Sequence, residues 1–490
     1  MSKQKKLDKS VLAIAWVLVF GAMAPMLDST MVNIAIHSLS QDLHSSMSTV
    51  QWTITGYVLA TGIAVPFSGW LLNKFDGKNV FLAGEIGFAI GSVAAALSPN
   101  IQFLIGARLV QGFAGGLIIP LLTTLLVQTA GAEVMGQMMA TVGLPIILGP
   151  LVGPILGGII IRYLSWQWIF WVNVPVAIIA IGLIIMKLPK FPAQNKSAKI
   201  DLVGILLLGG ATSTIIYGVV EASKTASFNN QTTLLYIAAG IIMLILYVGW
   251  AVYKRADAVV PLELFKYRSF NGSMLGLMIS GTLLNGAMLL LPLFFQNIAG
   301  MSVMMAGFAL IPQGVGMLVS RSITGRLTDQ IGAKYVVFVS ALITFAGTIP
   351  FYWIDKSTSY WIVAIVLFIR GIGAGGILSP LMTDSYTGMN RVQIPAASIG
   401  SRIIQNIGSA FGSALITTAV MSYSNSQVNN FKDNLRNGHY HVQPEQMKAF
   451  RLQHMQIIQL HSFQFGFLVI SIAALVILIP TILLTNKRKN

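Results

Sequence analysis

The sequence predicts an all-α membrane protein with fourteen transmembrane helices. Three observations carry that reading. Hydrophobic residues fill 55% of the 490 positions and charged residues only 9%, far below the roughly 25% charged residues of soluble chains. Apolar runs longer than about 18 residues recur along the chain, long enough to cross a hydrocarbon core of about 30 Å. The runs are continuous rather than alternating, which excludes transmembrane β-strands. Helix then remains the only option, because backbone polar groups must be paired in lipid.

The first six runs fall at 11–36, 48–72, 79–98, 101–122, 137–161 and 167–187. Two more follow at 202–221 and 233–253, and a last six at 270–295, 304–325, 335–354, 360–382, 395–420 and 462–485. The first run is too long for a signal peptide, and Pro25 follows its small-residue site Ala22-Met23-Ala24, so it reads as a retained helix. An even number of crossings puts both termini on one side. With the termini cytoplasmic, most of the 31 Lys and Arg lie on inner segments, and the short outer loops carry only Arg162, Lys224 and Lys356. The positive-inside rule sets that orientation. The net charge of +16 is then a matter of topology, and nucleic acid is not an expected partner. The chain has no cysteine, which removes disulfides, thiolate metal sites and cysteine catalysis.

Two basic inner connections, 188–200 and 254–269, bracket runs seven and eight. The expected organisation is a six-helix bundle over 1–187, a linker with two additional helices over 188–269, and a second six-helix bundle over 270–490 with a long outer loop at 421–460. In that loop Pro444 followed by Glu445-Gln446-Met447-Lys448 suggests a helix start and an outer amphipathic element. An internal echo supports the division. Gly69-Trp70-Leu71-Leu72-Asn73-Lys74-Phe75-Asp76-Gly77-Lys78 follows span two, and Gly325-Arg326-Leu327-Thr328-Asp329-Gln330-Ile331-Gly332-Ala333-Lys334 follows span ten. Span four holds Arg108 before Gly115-Gly116, and span twelve holds Arg370 before Gly375-Gly376. Repeated halves of this kind mark transporters that rock about a midplane site.

Four motifs carry a family resemblance. Span one has Leu27-Asp28-Ser29-Thr30-Met31-Val32-Asn33-Ile34-Ala35, and span four has Arg108-Leu109-Val110-Gln111-Gly112. Span five has Gly149-Pro150-Leu151-Val152-Gly153-Pro154-Ile155-Leu156-Gly157-Gly158, and span six opens with Trp168-Ile169-Phe170-Trp171-Val172-Asn173-Val174-Pro175. On these the sequence resembles the major facilitator superfamily, in particular its fourteen-span drug:proton antiporters, the multidrug efflux transporters. The resemblance covers nearly the whole chain. It implies the major facilitator fold and export of lipophilic drugs or related amphiphiles by proton antiport through alternating access. It also implies antibiotic resistance, a bacterial plasma-membrane location, action as a monomer in the lipid bilayer, and no cofactor beyond the proton gradient. The loop after span two departs from the superfamily's gating motif, with Asn73 for its Asp, Asp76 for its Gly and Gly77 for its Arg. The second-half copy keeps Asp329 and Gly332.

Candidate residues follow from their chemistry. Asp28 is an acid within an apolar segment, where the ionised form is costly, so it is either the proton-coupling group or an interfacial helix cap. Arg108 is its expected partner, or a structural hydrogen-bond hub. Glu85 is the second coupling candidate, or an acid that snorkels toward the basic loop. Gly149, Gly153 and Gly157 share one helical face and permit close backbone approach. With Pro150 and Pro154, which bend a helix, they read as a gating seal between the halves, with Asn73 and Asp329 as gate residues. Candidate cavity residues are Met23, Met26 and Tyr57 in the first half. In the second half they are Asn285, Phe294, Gln296, Arg370, Arg402 and Asn406. Asp201 and Glu221 read as interfacial acids, and Asp384 as a residue of a solvated inner loop.

An enzyme is not expected. No H-E-x-x-H, Walker A or G-x-S-x-G element is present, and the six histidines are too dispersed for a zinc site, so no catalytic or metal-binding residue is assigned. The substrate reading has an alternative. Four arginines, Arg108, Arg321, Arg370 and Arg402, lie within spans, which would suit an exporter or flippase of an anionic amphiphile or lipid. A channel is less favoured, because paired halves suit alternating access.

Overall fold

The computed structural model describes residues 9–130, 138, 153, 156–193, 199–390, 392–437, 443 and 446–486. Among these residues twelve helices are long and apolar enough to cross a membrane. The first half contributes span one (Lys9–Met31), span two (Trp52–Lys74), span three (Gly77–Ala96), span four (Ile101–Ala130) and span six (Trp168–Lys187). Span seven (Leu202–Thr225) and span eight (Gln231–Asp257) follow. The second half contributes span nine (Arg268–Asn297), span eleven (Ala333–Tyr352), span twelve (Tyr360–Asp384), span thirteen (Ile394–Arg436) and span fourteen (Met447–Leu483). Span ten is the helix Ile311–Ile331, preceded by Val303–Ala309; it is more polar because Gln313, Ser320, Arg321, Arg326 and Asp329 interrupt it. Span five, expected over 137–161, falls largely outside the described residues. The all-α architecture stands, and among the described residues a helical pair lies in sequence between two groups of helices.

Polar side chains set the helix starts. Asp76 accepts backbone hydrogen bonds from Lys78 at 3.0 Å and Asn79 at 3.3 Å, so the acid that breaks the gating motif caps span three. Asp201 accepts from the Gly204 amide at 3.0 Å and from Trp250 Nε1 at 2.7 Å, which caps span seven and ties it to span eight. Span seven is wedged between the bundles. Ser213 Oγ donates to the Leu59 carbonyl of span two at 3.2 Å, and Thr418 Oγ1 of span thirteen donates to the Ala222 carbonyl at 3.2 Å. Span eight lies at the periphery: 17% of its apolar stretch is buried, against 83% for span four.

The segment 421–460, expected as an outer loop, is mostly helix. Span thirteen runs on to Arg436 and span fourteen begins at Met447. Residues 421–436 hold neither Gly nor Pro, so nothing ends the helix where its apolar character ends. The two extensions are zipped together by rings. Phe431 stacks on His454 with centroids 4.9 Å apart and meets Phe450 at 6.0 Å, and Tyr423 stacks on Phe465 at 5.0 Å. In the loop between spans eleven and twelve, the Ser357 and Thr358 hydroxyls and amides hold the Asp355 carboxyl below the usual carboxylate range.

Candidate functional site

Asp28 and Arg108 meet inside the first bundle. The Arg108 Nη1 donates to Asp28 Oδ2, and the two side chains are 1% and 0% exposed. No water-accessible surface is left on the pair. Asp28 Oδ1 accepts from Asn173 Nδ2 of span six at 2.8 Å and from Gln111 Nε2 of span four at 3.2 Å. Gln111 closes a ring: its Oε1 accepts from Arg108 Nη1 at 2.6 Å, and its Nε2 also donates to Ser92 Oγ of span three at 2.8 Å. Arg108 Nε donates to the Thr53 carbonyl of span two at 3.0 Å. The guanidinium lies 4.2 Å from the Tyr57 ring centroid and 5.6 Å from that of Phe170, a cation–π arrangement. Five helices therefore converge on one hydrogen-bonded cluster built around this carboxylate.

The sequence builds this locally. Arg108 and Gln111 are three apart and so share a helix face. Gly91 of span three lies against Gln111, where a Cβ would come within 2.9 Å of its Cα. A side chain at Gly112 would run into the Tyr57 backbone, and Thr61 Oγ1 donates to the Gly112 carbonyl at 3.0 Å. These close approaches bring Ser92 and Tyr57 within reach of the cluster. Outward of it, Leu27, Met31, Leu104, Ile169 and Phe170 belong to a separate apolar core at the outer end of the bundle.

Asp28 is thus no interfacial cap. Glu85 does not snorkel either: it is fully buried, neither carboxylate oxygen has a hydrogen-bond partner among the described residues, and it lies beside Gly21 of span one. The basic loop is out of reach because Glu85 is more than two turns into span three, on its buried face. Gly149, Pro150 and Pro154 lie outside the described residues. Gly153 packs on Thr30 and Leu27 of span one, and a Cβ on Gly157 would stand 3.1 Å from the Met31 carbonyl. Among the described residues, Gly153 and Gly157 face span one of the same bundle, next to Asp28. Asn73 lines an inner cavity, and Asp329 is half-buried near the inner end of span ten.

In the second half Arg370 is buried and bonds to neutral acceptors. Its Nη1 donates to Gln313 Oε1 at 2.8 Å and its Nη2 to the Leu283 carbonyl at 3.0 Å. Leu283 lies in a π-helical turn, Thr282–Gly286, within span nine; such a turn frees carbonyls from the helical ladder. Asn285 donates to Ser409 Oγ of span thirteen at 3.0 Å. Phe294, expected to line a cavity, is instead core. Its ring packs on Phe351, Phe463 and Phe467 at 6.0, 6.0 and 5.6 Å, because it sits on the face of span nine turned to spans eleven and fourteen. Met26 is buried, and Met23, Gln296, Arg402 and Asn406 are half-buried. Asp384 is buried rather than solvated, and accepts from the Thr485 amide at 2.9 Å.

A cavity of about 660 Å³ opens at the inner side of the seam between the halves. Trp70 and Asn73 of span two and Ile399 of span thirteen contribute to its wall, with the cations Lys199 and Lys254 and the acids Asp201, Asp257 and Glu263. Among the described residues no group of His, Asp or Glu is placed to hold a metal ion. Sequence reasoning missed Gln111, Asn173, Ser92 and Thr53. The first two stood inside quoted motifs, as amides at fixed positions in otherwise apolar helices, and that was the available signal.

The repeated halves, the buried ion pair and the seam cavity define a secondary transporter. The Major Facilitator Superfamily model matches residues 18–413, and the chain belongs to that superfamily, in its fourteen-span drug:proton antiporter group. It is 31% identical over 415 residues to a multidrug resistance protein B homolog of Mycobacterium tuberculosis (strain ATCC 25618 / H37Rv), covering 84% of this chain and 76% of that protein. It is 28% identical over 427 residues to the multidrug export protein EmrB of Escherichia coli (strain K12), covering 85% and 82%. Among solved structures it resembles the human organic anion transporter MFSD10, with a TM-score of 0.62 at 14% identity over 97% of this chain and 100% of that one. It also resembles the proton:xylose symporter XylE, with a TM-score of 0.60 at 15% identity over 95% and 94%. These two likenesses concern the fold. The chain is a multi-pass membrane transporter and not an enzyme.

Proposed function

We propose that the chain exports small amphiphilic compounds by proton antiport through alternating access, with Asp28 as the proton-carrying group. The observation that carries this reading is the Asp28 carboxylate, sealed from water and held by Arg108, Gln111 and Asn173. Efflux against a gradient needs a group whose charge changes between access states. A carboxylate at the junction of five helices has that property, because rocking of any one helix alters its partners and its access to water. Opposite charge favours the ionised acid and exclusion from water disfavours it, so separating Arg108 from Asp28 changes which form is stable. The domains fit this use: 1–187 and 270–490 rock as bundles, and 188–269 spans the seam. Basic inner connections place both termini in the cytoplasm, and the bacterial relatives support a plasma-membrane location and a role in drug resistance. A monomer carries the complete path.

The test is efflux in everted vesicles. Asp28→Asn is expected to abolish proton-driven transport while substrate still binds. Substrate-induced proton release, read with a pH dye, is expected to vanish in the same variant. Arg108→Ala is expected to lower transport more than Arg108→Lys. Undiminished, equally proton-dependent pumping by Asp28→Asn would refute the assignment and point to Glu85.

A further inference from the structure

Arg402 is a half-buried cation that the coupling cluster leaves unused. It lies close to one turn outward of Ile399 on span thirteen, and Ile399 faces Gly69 of span two and lines the inner cavity. Arg402 therefore stands at the seam, just beyond the cavity. Its Nη1 donates to Gln405 Oε1 of its own helix at 2.9 Å, and its Nε is buried without an acceptor. Its electrostatic neighbours are two phenols, Tyr57 from the first half and Tyr386 from the second. No carboxylate pairs with it among the described residues.

The other buried ionisable groups do not change this balance. Arg108 is neutralised by Asp28. Arg370 bonds to Gln313 and the Leu283 carbonyl inside the second bundle, its Nε buried without an acceptor among the described residues, and Arg321 is buried within span ten. Glu85 faces Gly21 inside the first bundle. A guanidinium offers five donors in a planar fork that matches an oxyanion in two-point contact. Held half-buried at the seam without a counter-charge among the described residues it is costly, and an arriving anion offsets that cost where an arriving cation increases it. We infer that Arg402 recognises the oxyanion head of the substrate and that the transported compounds are lipophilic monoanions, an inference that rests on the export function proposed above. One uncompensated guanidinium at the seam sets the single charge. Tyr57, whose ring lies on Arg108, is an electrostatic neighbour of Arg402 as well and so links the substrate-binding guanidinium to the coupling pair.

The experiment uses everted vesicles and proteoliposomes of the full chain. The probes are anilinonaphthalene sulfonate, its neutral sulfonamide and the cation ethidium. The sulfonate is expected to be pumped in preference to ethidium. Arg402→Gln is expected to lower sulfonate transport by about tenfold or more, the worth of a charge-assisted hydrogen bond, bringing it toward the low level of the sulfonamide, and an unshifted thermal unfolding midpoint in detergent shows that the variant folds. Arg402→Lys is expected to retain part of the sulfonate activity. Proteoliposomes containing a fluorescent phosphatidylglycerol add a second anion source: Arg402-dependent movement of the lipid upholds the inference with a headgroup as ligand, and movement of the sulfonate upholds it with a free amphiphile. Preferred pumping of ethidium, or equal loss of all probes in Arg402→Gln, overturns it. Asp28→Asn separates the two proposals. Arg402-dependent sulfonate binding without proton coupling in the wild type would sink the antiport reading alone, and proton-coupled ethidium efflux unaffected by Arg402→Gln would sink this one alone.

Discussion

Gln111 shows how tightly the coupling cluster is closed. Its amide oxygen serves Arg108 while its amide nitrogen serves Asp28 and Ser92, so one side chain stabilises both charges in opposite senses. Gln111→Leu is expected to strand buried donors and acceptors at a cost of about 1–3 kcal/mol. The change is checked by thermal unfolding in detergent, together with a shifted pH dependence of efflux. Glu85→Gln is expected to keep substrate-induced proton release at the wild-type level, because Asp28 carries the proton; loss of release there would transfer the role to Glu85. The pair Asp28 and Arg108 was legible in the sequence, since two opposite charges in apolar helices need each other. Gln111 and Asn173 were not singled out, because an amide in a membrane helix has several uses and only packing decides among them. Glu85 and Phe294 went the other way: chemistry suggested exposure or a ligand, and the helix face they occupy turned out to be interior.

At the scale of single helices, glycine spacing and the end of apolar character carry different information. The every-fourth glycines of span five foretold a close helix contact, and Gly153 and Gly157 make one, but spacing does not name the partner, which is span one beside Asp28. Gly153→Leu or Gly157→Leu is therefore expected to block transport while the protein still reaches the membrane, by wedging span one away from the cluster. Normal flux in both variants would show that this contact has no part in transport. Phe294→Ala removes the hub of an aromatic cluster linking spans nine, eleven and fourteen and is expected to cost about 3–5 kcal/mol of stability, read by thermal unfolding, with substrate selectivity unchanged. Hydropathy located the membrane crossings because lipid demands apolar side chains. It did not locate where span thirteen ends, because a helix continues into water until something stops it.

For the whole molecule, the contacts of span seven matter most. Bonded to Leu59 on one side and Thr418 on the other, it holds both bundles by single hydroxyl–carbonyl bonds, which are weak enough to exchange. Ser213→Val with Thr418→Val is expected to alter the rate of transport without unfolding the protein, checked by comparing efflux kinetics with thermal stability. Orientation is checked by a single cysteine at Ala193, which is expected to react only with reagents supplied from the cytoplasm; labelling from outside would invert the topology. The ring-zipped extension of spans thirteen and fourteen has a mechanical consequence. Span thirteen has 43 residues, roughly 64 Å at 1.5 Å per residue, and the same rigid rod carries Arg402 near its inner end. Such a rod is a lever: a tilt too small to see at Arg402 is amplified at Asn437, just past its far end. A chain with no native cysteine leaves that tip free for one spin label, and the swing of the tip then reports the stroke of the transport cycle.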